Sequence, residues 1–458
     1  MLRCYACGAT NESVEAALVG ARCACGEPFW FDSERVASAV DGWTAGRGVA
    51  AFADWLPTPA PTAGLAAAAG GTPLVREPAL DADGARAYLK IEGTNPTGSF
   101  KDRGSAVGIA AVRRGFEWDA TDAEHHDGDA EHHDADLAPV GADEAGDGVN
   151  GSDDRNDSDE AGDRNDGIDR VGTVSHGNMA ASMAAHAASA GLECVVLVPA
   201  DVSDARLARI AAHDPRIYRV DGDYGRLYYD ALAVGRESGV AFVNSDAPLR
   251  VAGQKTTTLE LLRSFGSPYG SRVASDAAAP DALVLPVSSG GHASGAWKAI
   301  RDARAAGLLA AAEVPRLYFV QAAACAPVAR AARRDADRVD RLEPDETGET
   351  VAYSIANADP PSGTRALRAA QATGGRVLAV DDPAIRDAHD RLARVGYRVE
   401  PACATVLAAF EELRAEGAIH TGEDVALVAT GVGYGEGTAE VTAPVVDRDE
   451  LDAVVAGE

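Results

Sequence analysis

Past about residue 85 the chain alternates short, almost wholly apolar runs with longer stretches whose apolar residues recur at three- and four-residue intervals. The short runs at 87–91, 171–175, 193–199, 216–220 and 240–244 have strand length and are rich in Val, Ile and Leu. The stretches 178–191, 204–212 and 224–238 have helical periodicity, and 98–115 reads as a loop that runs into a helix. A second series of apolar runs follows at 283–287, 317–321, 376–380 and 425–430. Strand and helix alternating at this spacing build parallel sheets covered on both faces, so the pattern predicts two doubly wound α/β units.

Two regions break the alternation. Residues 1–48 hold Cys4-Tyr5-Ala6-Cys7-Gly8 and Cys23-Ala24-Cys25-Gly26, two tight turns that aim four thiols at one point, each followed by a glycine that lets the backbone pass beneath the sulfurs. Cys4, Cys7, Cys23 and Cys25 are therefore candidate ligands of a structural zinc ion in a zinc-ribbon-like segment; free thiols are the alternative. Residues 119–169 carry 19 acidic side chains against two arginines, with almost nothing apolar to bury, and are expected to be disordered. This insert contains a near-repeat with His125, His126, His132 and His133, but a flexible tract has no surrounding shell to fix metal ligands.

The chain has 458 residues and a formal charge of −29, and the acidic excess persists outside the insert. Only four of the 42 basic residues are lysines. Carboxylate enrichment with arginine in place of lysine is the composition expected of a halophile protein kept soluble in a high-salt cytoplasm. No basic stripe is present to displace counterions from nucleic acid or an anionic membrane, and no apolar run approaches a membrane span. The odd count of seven cysteines fits a reducing compartment better than a disulfide framework. A cytoplasmic protein acting on a small molecule is the expectation.

Lys101 stands in the glycine-bearing segment Thr97-Gly98-Ser99-Phe100-Lys101-Asp102-Arg103-Gly104. A desolvated amine can lose its proton and form a Schiff base with a carbonyl, which a guanidinium cannot. Three further segments are suited to a phosphorylated, planar cofactor. Ser175-His176-Gly177-Asn178 lies between a strand and a helix, where free backbone N–H groups attract anions. Ser288-Ser289-Gly290-Gly291-His292 offers small residues whose amides can approach a phosphate, and it is neither a P-loop nor a dinucleotide fingerprint. Thr430-Gly431 follows the last buried run, where a hydroxyl can meet a ring nitrogen. Each segment alone has an ordinary reading as a cap or turn.

Taken together and in this order, with Gly71-Thr72-Pro73-Leu74, Gly253-Gln254-Lys255-Thr256 and Glu400-Pro401, these segments resemble the fold-type-II (tryptophan synthase β-like) pyridoxal-phosphate enzymes, and within them the threonine synthase family. The resemblance implies Lys101 as the Schiff-base lysine and sole catalytic residue. It also implies that Asn178 meets the cofactor's 3-oxygen, Ser288, Ser289, Gly290, Gly291 and His292 its phosphate, and Thr430 its pyridine nitrogen. For a phosphorylated amino acid substrate it implies Ser175, Asn244, Ser245 and Arg250. The implied domains are a large α/β domain (49–99 and 245–445), a small one (100–118 and 170–244) and a C-terminal tail (446–458). A homodimer is also expected.

His176 and Met179 depart from the family pattern beside Asn178, and Ser289 and His292 replace asparagines in the phosphate loop. The implied reaction is conversion of O-phospho-L-homoserine and water to L-threonine and phosphate. A serine/threonine dehydratase, a cysteate-synthase-like paralogue and a non-enzymatic ligand sensor are the alternatives. The compositional reading has its own test. Molar salt screens carboxylate repulsion, so the thermal unfolding midpoint should rise from dilute buffer to molar KCl; an unchanged midpoint overturns it.

Overall fold

The computed structural model describes residues 1–113, 168–175, 177–222, 224–266, 277–433 and 443–457. Nearly all of the acidic insert, its histidines and His176 lie outside them.

Two sheets form the body. The six-stranded sheet runs, edge to edge, Arg376–Val380, Arg316–Ala322, Ala282–Pro286, Asp424–Ala429, Arg86–Ile91 and Leu74–Arg76. All its neighbours pair parallel except the last two strands, which are antiparallel. The five-stranded sheet is parallel throughout, in the order Val445–Val446, Arg216–Val220, Glu193–Pro199, Arg170–Val174 and Val240–Phe242. Helices cover both faces, which is why the central strands are apolar at successive positions: every residue of Ala282–Pro286 and Asp424–Ala429 is buried. The α/β expectation holds. Sequence periodicity places 193–199, 216–220, 224–238 and 376–380 at the observed boundaries and the other elements within about two residues.

The chain's end departs from the expected tail. Val445–Val446 pairs with Arg216–Val220, and Leu451 and Val455 of helix Leu451–Ala456 are buried against the small sheet. Two-residue strands and six-residue helices give too little periodicity to register in sequence.

The cysteine-rich segment folds as a three-stranded antiparallel sheet of Leu2–Cys4, Thr10–Asn11 and Phe29–Phe31. Strand alternation splits its aromatic run. Phe29 and Phe31 join the apolar cluster that includes Met179, Met183 and Val196 on the small-sheet side, and Trp30 joins the cluster around Leu283, Leu285 and Phe319 of the large sheet. The segment is thus wedged against both halves.

One passage crosses between the sheets close to the candidate lysine. Strand Arg86–Ile91 belongs to the large sheet, and helix Lys101–Arg113 packs on helix Asn178–Ala190 of the small one, where Ser105 and Ser182 share a 2.7 Å hydrogen bond. Beneath this passage lies a cluster of buried charge. Arg103, with no exposed surface, grips Glu92 through Nε (2.7 Å) and Nη2 (2.8 Å), and Glu260 through Nη1 (2.8 Å) and Nη2 (2.7 Å). Lys90 Nζ donates to Glu260 Oε2 (2.6 Å) and to the Thr72 carbonyl (2.8 Å). Two cations balance two carboxylates, and Thr72, Asn95 and the Gly71 amide occupy remaining oxygen lone pairs. A balanced, fully hydrogen-bonded cluster is tolerable in a dry interior, whereas removing one member leaves an unpaired charge. Arg103→Met should accordingly lower the unfolding free energy by about 3–5 kcal/mol in denaturant titration; a loss below about 1 kcal/mol would show the cluster to be dispensable.

Candidate active site

One cavity gathers loops from the carboxyl ends of strands Arg86–Ile91, Arg170–Val174, Ala282–Pro286 and Asp424–Ala429, the usual location of a ligand crevice in open α/β sheets. Lys101 lines it at the first position of its helix, fixed from behind because Asp102 is buried and accepts from the Thr97 amide (2.7 Å), Thr97 Oγ1 (2.6 Å) and Ser182 Oγ (2.6 Å). The Phe100 amide donates to the Thr430 carbonyl at 3.0 Å, locking the lysine loop to the Thr430 loop. Desolvation lowers the pKa of the Lys101 amine to about 7; the nearby Arg250 guanidinium adds to the shift and Glu400 opposes it. Near neutrality Lys101 is therefore divided between amine and ammonium.

Facing it is the loop that opens helix Gly291–Ala305. Ser288, Ser289, Gly290, Gly291 and His292 all line the cavity. Gly290 has φ +86°, and a Cβ there would lie 2.5 Å from the Ser362 carbonyl oxygen, so this turn requires glycine. The His292 ring stacks on Phe100 with centroids 4.1 Å apart and planes 14° apart, and Lys101 Nζ lies 4.5 Å from the centroid of the same Phe100 ring. Burial depresses the His292 pKa to about 3, leaving a neutral imidazole whose two ring nitrogens are buried without partners among the described residues. A glycine cradle at the N-terminus of a four-turn helix, beside an unsatisfied buried donor or acceptor, fits a phosphate group.

The remaining walls carry the other expected residues. Asn178 opens its helix and donates Nδ2 to both oxygens of Glu400 at 3.1 Å. Thr430 sits with Oγ1 3.3 Å from Cys403 Sγ. Ser175, Asn244 and Ser245 form a polar wall between the two halves. Asn244 Oδ1 accepts from the Val174 amide at 3.0 Å, while its Nδ2 is buried with no partner among the described residues. Met179 lines the same wall as an apolar contact.

Arg250 is the exception. It is fully buried outside the cavity wall, donating Nη1 to Ser105 Oγ (2.9 Å) and Nη2 to the Lys101 carbonyl (3.1 Å), packed against Gly104. The expectation that its fork faces a substrate phosphate is not met in this arrangement, because the missing side chain at Gly104 lets the guanidinium fold in behind the lysine. There it acts on Lys101 through its charge.

Sequence reasoning assigned no role to Phe100, Glu400 or Cys403. Burial raises the pKa of Glu400, and the nearby hydrogen bonds and cations counter the shift only in part. Cys403 accepts from the Gly431 amide at 3.1 Å and is itself pushed up to about 12 by burial. Glu400 precedes a helix-starting proline, a signal that marks an N-cap and says nothing of a cavity.

These features define a pyridoxal-phosphate site in character, and comparison gives the same class. The family model described as pyridoxal-phosphate dependent enzyme matches residues 65–130 and 157–431, and the chain belongs to that family. Among curated proteins it is similar to the threonine synthases of Methanocaldococcus jannaschii (28% identity, 96% of this chain and 94% of the relative) and Mycobacterium bovis (30%, 90% and 94%). Solved structures with the same fold include maize serine racemase (TM-score 0.55, 20% identity, 79% of this chain and 88% of that one) and a T.th. threonine deaminase (0.54, 23%, 80% and 94%). The protein is a pyridoxal-phosphate-dependent lyase related to the threonine synthases.

A lysine that titrates near 7 sets the pH dependence of cofactor capture. Below that value Lys101 is ammonium and has no lone pair; above it the free amine predominates. The rate at which stripped protein takes up pyridoxal phosphate, followed by visible absorbance, should rise with pH through about 7 and then level. A midpoint near the ordinary lysine value of about 10 overturns the assignment, as would a normal spectrum in Lys101→Ala.

Proposed function

We propose that this chain is a threonine synthase, converting O-phospho-L-homoserine and water to L-threonine and inorganic phosphate. The observation that carries the reading is a cavity in which Lys101 meets two polar groups: the glycine loop at the start of helix Gly291–Ala305, and the adjoining wall of Ser175, Asn244 and Ser245 with its unpartnered Asn244 Nδ2. The loop suits the phosphate of a cofactor and the wall the phosphate of a substrate. Curated threonine synthases matching along nine-tenths or more of the chain support the same choice.

When bound, the cofactor supplies an electron sink for negative charge at the substrate's α-carbon. The chain's residues do the rest. The backbone amides of Gly290 and Gly291 and the neutral ring of His292 would hold the cofactor phosphate without adding a charge. Asn178, oriented by the Glu400 carboxylate to which its Nδ2 donates, would be the partner of the 3-oxygen. The Thr430 hydroxyl would be a neutral partner for the ring nitrogen. Lys101, balanced near neutrality, takes a proton from one substrate carbon and returns it to another. Phe100 and Met179 supply apolar walls for the substrate's carbon chain, while Ser175, Asn244 and Ser245 orient the leaving phosphate and leave the β-carbon open to the water that adds there.

Purified enzyme given O-phospho-L-homoserine should release phosphate and threonine in equal amounts. Formation of a 2-oxo acid from threonine or serine, with no phosphate released from O-phospho-L-homoserine, would instead make it a dehydratase and overturn the reading. Asn244→Ala should weaken KM for the phosphorylated substrate by roughly ten-fold or more, the size of one lost hydrogen bond to a charged group, without changing cofactor absorbance.

A further inference from the structure

The Sγ atoms of Cys4, Cys7, Cys23 and Cys25 all lie within 4.8 Å of one another, with Cys4 and Cys25 at 3.5 Å and Cys7 and Cys23 at 3.4 Å. Four thiolates around one tetrahedral zinc ion at the usual Zn–S distance of about 2.3 Å stand roughly 3.8 Å apart. The sulfurs are thus already gathered to that spacing, and no disulfide joins them. Gly8 and Gly26 close the two turns at φ +82° and +87°.

What makes this cluster more than a clip for a small segment is where its neighbours reach. Tyr5 lies inside the first turn, and Phe29 leaves the second on the strand that pairs with Cys4. Both meet Arg365, which has no exposed surface. The Arg365 guanidinium lies 5.8 Å from the Tyr5 ring centroid and 5.3 Å from that of Trp30, and its Nη1 donates to the Phe29 carbonyl at 3.3 Å. Its two other nitrogens point the opposite way: Nε donates to Ser294 Oγ at 2.7 Å and Nη2 to Ser362 Oγ at 3.0 Å.

Each serine in turn holds the phosphate loop. Ser294 Oγ donates to the Gly290 carbonyl at 2.6 Å, and the Ser362 amide donates to the Ser289 carbonyl at 2.9 Å. In a planar trans peptide the carbonyl and the next residue's N–H point in opposite directions. Pinning the carbonyls of Ser289 and Gly290 away from the cavity therefore turns the N–H groups of Gly290 and Gly291 toward it. A second strut leads to the same serine: Arg22, next to Cys23, lies 3.6 Å from Asp246 Oδ2, which accepts from Ser362 Oγ at 3.1 Å.

We propose that Cys4, Cys7, Cys23 and Cys25 hold a zinc ion, and that the zinc-closed segment acts through Arg365 and Ser362 as a positioning support for the loop that binds the cofactor phosphate. Zinc loading then sets the affinity for pyridoxal phosphate. Losing the metal opens the two cysteine turns, frees Tyr5 and Phe29, and leaves Arg365 without its packing partners, so the loop amides are no longer held in line. The inference rests on cofactor binding alone and is independent of which amino acid the enzyme converts.

The test uses the full chain. Elemental analysis of the purified holoenzyme should find one zinc per chain. After removal of the cofactor, pyridoxal phosphate is titrated back by visible absorbance into zinc-loaded protein and into protein stripped with a chelator. Stripping should weaken the affinity roughly ten-fold or more, consistent with loss of charged-group hydrogen bonds, and added zinc should restore it. Cys7→Ser/Cys25→Ser, which alters the two exposed ligands, should behave as stripped protein that zinc cannot rescue. Arg365→Lys separates the support from the metal: it should keep its zinc and still bind the cofactor about ten-fold more weakly, because an ammonium cannot reach three partners in a fork. Circular dichroism of each sample confirms that the two sheets remain folded. Absence of zinc from protein with intact thiols overturns the proposal, and so does equal cofactor affinity in zinc-loaded and stripped protein.

Discussion

The bidentate grip of Arg103 on Glu92 and Glu260 is the constraint on which the site depends. Glu92 follows directly after a strand of the large sheet, Glu260 lies on helix Thr256–Gly266, and Arg103 sits on the helix that packs against the small sheet. A flexible or purely apolar contact at this crossing would allow sliding; two planar forks meeting carboxylates do so in one register only. Lys101 is two residues from that arginine and inherits its position. With Asp102 anchored by Thr97 and Ser182, the two side chains that follow the lysine are both fixed, and of the three only the lysine is turned to open space.

Burial also does electrostatic work here. Removing Lys101 from water favours its neutral amine, and Arg250, buried with no carboxylate at salt-bridge distance among the described residues, adds to the shift. An arginine is costly in such a place. Ser105 and the Lys101 carbonyl meet part of its hydrogen-bonding demand, and its Nε remains unmet. Stability is given up locally to keep a charge close to the reacting amine, the compromise expected where function and folding compete.

How much of this is readable in the chain follows from the range of the forces involved. Parallel strands buried on both faces leave long apolar runs, so the sheets and most helix boundaries are legible. Eleven expected site residues line one cavity because each lies in the loop or the first helical turn that follows such a strand. The buried charges are not legible. Arg103 and Glu260 are 157 positions apart, and neither local periodicity nor turn chemistry relates them. Arg250 suits a substrate phosphate by its chemistry alone; its actual placement depends on the absent side chain of Gly104, a packing fact visible only in three dimensions. Glu400 enters the sequence reading only as part of Glu400-Pro401, with no role, and Cys403 escapes notice, since a cap and a small apolar residue are what a helix start would carry anyway.

The scarcity of lysine takes on a different meaning once all four are located. Lys90 pairs with Glu260 in the interior, and Lys255 and Lys298 share Asp302, all three almost fully enclosed. Only Lys101 borders open space. Pyridoxal phosphate is an aldehyde and reacts with whatever uncharged amine it meets. On a surface furnished with arginine it finds no side-chain amine to divert it, so among the side chains the fold leaves the aldehyde a single address.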